Sequence, residues 1–195
     1  MKEYIAKIIE NIKEILKKKE FAVIAIDGRC CSGKTTLANE LGDILDANVI
    51  HMDDFFLRPH QRTPKRLEKP GENVDYERFF EEVLQNVCKN VSFSYSPYDC
   101  KTQSLKDKVS VNAKSVTIIE GAYSCHLMLR EYYDYVIFMD IDSKTQMERI
   151  VIRNGKNEAQ IFENRWIPME EMYLRAYPTN ADIRILNNGE EEVKK

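Results

Sequence analysis

Eight consecutive residues, Gly28-Arg29-Cys30-Cys31-Ser32-Gly33-Lys34-Thr35, constrain the fold more than any other part of the chain. They fit the spacing G-x-x-x-x-G-K-[ST]. They also stand between a short apolar run at 21–26 (FAVIAI) and a helical pattern over about 34–45. A strand that turns through glycines into a helix points successive backbone N–H groups at one spot, and the helix adds the positive end of its dipole. Such a loop is built to wrap a polyphosphate. The candidate nucleotide-binding residues are therefore Gly28, Arg29, Cys30, Cys31, Ser32, Gly33, Lys34, Thr35 and Thr36. Lys34 supplies a mobile positive charge for the β- and γ-phosphates, and the Thr35 hydroxyl is suited to ligate Mg²⁺.

The rest of the chain reads as alternating short apolar strands and helices. Strands are expected at 21–26, 48–51, 115–119, 135–139 and 183–186. Helices are expected at 1–19, where isoleucines recur at helical spacing, and at 34–45, 75–88 and 142–153. Another should start near Pro168, after a break at Asn154-Gly155. Residues 57–74 hold three prolines and many charges and read as an exposed loop. Alternation of this kind predicts an α/β fold with a mostly parallel sheet, in a single domain over 1–195.

Composition narrows the partners. The formal net charge is −3, so no global basic footprint for nucleic acid exists. No apolar run approaches the roughly 20 residues needed to span a bilayer. The five cysteines have no metal-ligand rhythm and read as reduced thiols of a cytoplasmic protein. Cys30 and Cys31 are adjacent, which is poor geometry for bridging each other. They read as small loop fillers open to thiol reagents.

A second motif follows the second strand. His51-Met52-Asp53-Asp54-Phe55-Phe56 places two carboxylates past a strand end, and strand C-termini face the ligand crevice in an open α/β sheet. Beside a phosphate-wrapping loop, a carboxylate there can take the proton of an acceptor hydroxyl; alone, the pair would read as a turn or a helix cap.

Taken with Val74-Asp75-Tyr76-Glu77, Pro97-Tyr98-Asp99 and Ile118-Ile119-Glu120-Gly121, these motifs resemble the uridine kinase-like P-loop kinases over most of the chain after its first helix. The resemblance implies a P-loop NTPase fold, three-layer α/β/α, with a helical lid over about 149–170. It implies an ATP-dependent phosphotransferase with Mg²⁺, acting on a small-molecule hydroxyl, a nucleoside in the first place. By position, Asp53 corresponds to the catalytic base, Glu120 to the acid near Mg²⁺ and the acceptor, Asp75 to the carboxylate that holds sugar hydroxyls, Tyr98 to an aromatic wall, and Arg153 to a lid arginine. Phe56 belongs to the same acceptor-side stretch. Catalysis would then rest on Asp53, Lys34, Glu120 and Arg153, metal binding on Thr35 and Glu120, and acceptor binding on Asp53, Phe56, Asp75, Tyr98 and Glu120.

Two departures leave the acceptor open. Cys100-Lys101-Thr102-Gln103 follows Asp99, where uridine–cytidine kinases carry a base-reading histidine. The loop over 58–66 is strongly basic, either to meet an anion or as an ordinary solvated loop. The same chemistry on pantothenate or a sugar phosphate stays open on these residues, as does a nucleotide-binding NTPase with no small-molecule acceptor. Oligomeric state is not readable from the sequence.

Overall fold

The computed structural model describes residues 2–189 and 191–194. Five parallel strands form the sheet: β1 (Ala22–Gly28), β2 (Asn48–His51), β3 (Val116–Glu120), β4 (Tyr135–Asp140) and β5 (Ile183–Asn187). A sixth strand, β6 (Glu191–Lys194), pairs antiparallel on the edge, giving the order β6-β5-β4-β1-β3-β2. Every residue of β1 and β3 is buried, which is why both read as unbroken apolar runs and not as alternating ones. Helices lie on both faces. The first core packs Ile5, Ile8 and Ile12 of α1 (Glu3–Leu16) and Leu37 and Leu41 of α2 (Lys34–Leu45) against Ile24, Ile26 and Ile137 of the sheet. The second gathers Phe55, Phe79, Val83, Tyr95 and Tyr173 on the opposite face. The expected three-layer α/β/α fold is therefore the observed one.

Register decides what meets at the strand ends. Ile26 pairs with Glu120, and Glu120 with His51, so the last residues of β2 and β3 are neighbours beside the loop that leaves β1. Two glycines permit this crowding. A Cβ on Gly28 would sit 2.0 Å from the Met139 carbonyl oxygen, and one on Gly121 would sit 2.8 Å from Met52 Cβ. Both have a φ that L side chains rarely adopt, +140° and +142°. Gly121 thus lets the 3₁₀ turn Met52–Phe55 pack directly on the end of β3.

Two expectations are corrected. The helix expected to start near Pro168 starts at Lys156 and continues through a π-helical stretch, Phe162–Trp166, into Ile167–Ala176. The wider turn falls immediately before the proline, where a missing N–H is most easily accommodated. The region 57–74 is not a wholly exposed loop. Leu57 is fully buried, Phe56 bridges to Val74, and short helices occupy Pro59–Gln61 and Pro64–Leu67. Two small hairpins, Phe93–Tyr95 with Val109–Val111 and Tyr98–Asp99 with Ser104–Leu105, were absent from the sequence reading; strands of two or three residues carry too little periodicity to detect. Among the described residues no helix is long and apolar enough to cross a membrane.

Candidate active site

The eight-residue motif forms a loop between the end of β1 and the start of α2, as its spacing requires. Lys34 is buried. Its ammonium donates to the Gly28 carbonyl at 2.9 Å and the Arg29 carbonyl at 2.8 Å, so the side chain folds back along the loop. No side chain caps α2 at Gly33, and the first N–H groups of any helix lack intrahelical acceptors. The Ser32 hydroxyl is fully buried with no hydrogen-bond partner. An uncapped helix start and an orphaned hydroxyl in one loop fit a polyphosphate.

Across the loop, the Thr35 hydroxyl donates to Glu120 Oε1 at 3.1 Å. A hydroxyl and a carboxylate are the hard oxygen donors that Mg²⁺ takes when phosphates and waters complete its shell. Among the described residues no cluster of three or more His, Cys, Asp or Glu could hold a metal by itself, so the ion would need those phosphates. His51 Nδ1 lies 2.6 Å from the same Glu120 oxygen. That contact holds the imidazole pKa above its ordinary value, with Asp54 and Asp53 adding to the effect against burial.

The two aspartates separate. The Asp54 carboxylate accepts from the Tyr95 hydroxyl at 3.0 Å, and its carbonyl accepts from Arg78 at 2.8 Å. Arg78, itself buried, stacks on Phe55 and donates to the Ser96 carbonyl, clamping the turn to the neighbouring hairpin. Asp53 has other surroundings. It is solvent-accessible but recessed between protein walls, and this desolvation raises its pKa. Lys34, Arg153 and His51 pull the pKa down and Glu120 pushes it up, which places Asp53 among the charges of the loop.

The remaining expected residues fall in different places. Arg153 donates to Cys30 Sγ at 3.3 Å and lies within the field of Asp53. Thr36 is exposed on the first turn of α2. Phe56 packs into the second core. Asp75 is buried and caps a helical turn through the Arg78 N–H, while its other oxygen accepts from Gln61 at 2.8 Å and Arg58 at 3.4 Å. Three arginines of the basic loop are thus engaged internally: Arg58 on Asp75, Arg62 on the Leu57 carbonyl, and Arg66 on Glu72, Glu77 and the Val74 carbonyl. Tyr98 is buried, and its hydroxyl has no partner. A shallow surface concavity of about 560 Å³ lies by Asn11, Tyr135 and Asp182. It opens at the N-terminal ends of β4 and β5, away from these residues, and does not belong to the site.

No family model matches the chain. A uridine kinase of Ureaplasma parvum serovar 3 is 26% identical over 91% of this chain and 94% of its own length. A possible uridine kinase of Bacillus stearothermophilus superposes with a TM-score of 0.65 at 24% identity, covering 91% of this chain and 98% of the other. A Silicibacter protein, provisionally a fructose transport system kinase, gives 0.70 at 22% identity, covering 92% and 98%. The chain is similar to uridine kinase-like P-loop kinases over 91% of its length. It is a small-molecule kinase, and ATP-dependent phosphotransfer is its chemistry.

This kinase also holds its P-loop from outside, through residues the sequence reading missed. Glu170, buried on the 156–176 helix, accepts from the Cys30 N–H at 2.6 Å. Gln146 donates to both the Cys30 carbonyl and Glu170. Arg149 donates to the Cys31 carbonyl and Asn187 to the Ser32 carbonyl. Glu171 pairs with Arg29, whose Nε also meets Asp140 at 2.9 Å. Asp27, fully buried at the end of β1, accepts from the Gly28 and Cys125 N–H groups and the Tyr173 hydroxyl. These partners lie up to 155 residues apart, so only the conformation brings them together.

Burial holds the Glu170 carboxyl up, to about 7, although Lys34, the Cys30 N–H and Gln146 oppose the shift. An acid whose folded pKa lies above its ordinary value favours the folded state when protonated. Its contribution is therefore present below about 4.5 and is lost as pH rises through about 7. Glu170→Gln removes the titration. The stability of the variant relative to wild type should rise by on the order of 1–3 kcal/mol between pH 4.5 and pH 8. Any pH-independent cost of the substitution cancels in this comparison. Urea unfolding at both pH values checks it, and equal changes in the two proteins would refute the assignment.

Proposed function

We propose that this kinase transfers the γ-phosphoryl group of ATP to a hydroxyl of a nucleoside. One observation carries the reading: of the adjacent aspartates, only Asp53 is left among the charges of Lys34, Arg153 and Glu120, while Asp54 is tied into the fold. The nucleoside is favoured by the uridine kinase of Ureaplasma parvum, whose likeness runs nearly end to end.

In this reading the P-loop wraps the triphosphate, and Lys34 swings from its carbonyl partners to the terminal phosphates. Asp53 accepts the acceptor's hydroxyl proton, and its raised pKa makes it a better base than an ordinary aspartate. His51 balances the charge of Glu120. Thr35 and Glu120 would hold Mg²⁺, which when bound supplies charge neutralisation on the phosphates. Arg153, with the helices on either side of Gly155, forms the lid and brings a further positive charge over the loop. Tyr98, Asp75 and Phe56 line the acceptor side. The unpartnered Tyr98 hydroxyl is offered to the acceptor, and Asp75 reaches sugar hydroxyls by exchanging its Gln61 or Arg58 contact.

ADP release is measured with Mg-ATP and a panel of nucleosides, pantothenate and sugars. Release should depend on the acceptor and be greatest with a nucleoside. Acceptor-independent release, or dependence on a non-nucleoside alone, rejects the reading.

A further inference from the structure

The thiols of the paired P-loop cysteines take no step in the phosphoryl transfer proposed above, yet their surroundings are specific. Cys30 and Cys31 are both partly exposed, and the Cys30 thiol lies 3.9 Å from Cys31 Sγ with the geometry of a donor. The Arg153 guanidinium lies 3.3 Å from Cys30 Sγ. Arg153 and Lys34 act electrostatically on both sulfurs. Arg153 thus donates to Cys30 and Cys30 is placed to donate to Cys31; a sulfur at the end of such a chain is favoured as a thiolate, and the thiolate is the nucleophile in disulfide exchange.

We propose that Cys31 is a thiol-modification site that reacts with low-molecular-weight disulfides, and that the adduct closes the P-loop to nucleotide. The second half of this statement rests on the nucleotide-binding reading above. The Cys31 sulfur attacks one sulfur of the disulfide and a new S–S bond forms. The old S–S bond breaks, its second half leaves as a thiolate, and the Cys31 proton goes to solvent. Cys31 is oxidised and the released half is reduced. Closure onto Cys30 is not the product, because a bond of about 2 Å between adjacent residues would require distorting the peptide between them. Cys30 keeps its proton and serves as the hydrogen-bond donor.

The other thiols lack this arrangement. Cys125 is buried. Cys88 and Cys100 have no thiol donor beside them, and burial pushes both up, at Cys100 against the opposing Arg62 at its sulfur. Cys30 is pushed up as well, by its bond to Cys31 and by burial. Cys31 goes down, to about 7, chiefly through the Cys30 hydrogen bond, with Arg153 and Lys34 adding to it against burial and Glu170.

The test uses the full, reduced chain at pH 7 and oxidised glutathione or 5,5′-dithiobis(2-nitrobenzoate), with adducts located by peptide mass mapping. Cys31 should react at least about five-fold faster than the more exposed Cys100, reflecting its larger thiolate fraction. Cys30→Ala should slow Cys31 several-fold. The glutathionylated protein should lose ATP binding at least ten-fold in a direct titration and regain it with dithiothreitol. Faster reaction at Cys100, or an adduct at Cys31 that leaves ATP affinity unchanged, overturns the proposal. If the unmodified protein binds no ATP at all, the nucleotide reading has failed, and the rate at Cys31 still decides the reactive-thiol claim.

Discussion

Replacing Asp53 with Asn should slow phosphoryl transfer by about a thousandfold or more while changing ATP affinity by only a few-fold. The asymmetry follows from what each aspartate touches. Asp54 holds the Tyr95 hydroxyl, and its carbonyl holds Arg78, so changing it would disturb the fold. Asp53 carries none of that load. Its carboxylate stands within the fields of Lys34, Glu120 and Arg153. An asparagine of the same shape keeps the turn and loses the proton acceptor. In the proposed reading ATP is held by backbone N–H groups and Lys34, which the substitution leaves in place. ADP release under saturating ATP, paired with equilibrium ATP binding, separates the two effects. Near-normal turnover in the variant would remove Asp53 as the base.

How much of this was legible beforehand depended on whether the chemistry was contiguous. The P-loop is contiguous, and its flanking strand and helix were readable because burial makes them continuous apolar or helical patterns. The positions of Glu120 and Asp53 at the C-terminal edge of the sheet were readable because each ends or follows a strand. The difference between Asp53 and Asp54 was not readable, since it depends on Tyr95 and Arg78, which arrive from other elements. Nor was the ring of partners around the loop. Glu170, Gln146, Arg149 and Asn187 look like ordinary surface residues in sequence, and their register against Cys30 to Ser32 is fixed only when β5 and the later helices dock. The basic loop was ambiguous for a similar reason. Whether Arg58 and Arg66 meet solvent, a ligand or the protein depends on where Asp75 and Glu77 fall. The helix over 156–168 was hidden between Gly155, which does end the preceding helix, and Pro168, a stop signal overruled by a shift to π-helical turns.

Lys34→Met should lower kcat/KM by about a hundredfold to a thousandfold, and it should also move the pH profile. The first effect is the loss of a positive charge that offsets the charge on the transferring phosphoryl group. Methionine preserves most of the buried stem, so the loss is electrostatic and not a cavity. The second effect distinguishes a charge inside the site from one that merely steadies the loop. Lys34 is the largest influence holding the Asp53 pKa down against desolvation. Without it, Asp53 takes up its proton at higher pH. Since the base works only when deprotonated, the acidic limb of log kcat/KM should shift to higher pH in the variant. The variant would therefore recover part of its lost activity on raising the pH from 6 to 8, more than the wild type does. A variant that loses activity uniformly at every pH would place Lys34 outside the field of the base. The loop would then bind nucleotide without bringing its charge to the acceptor.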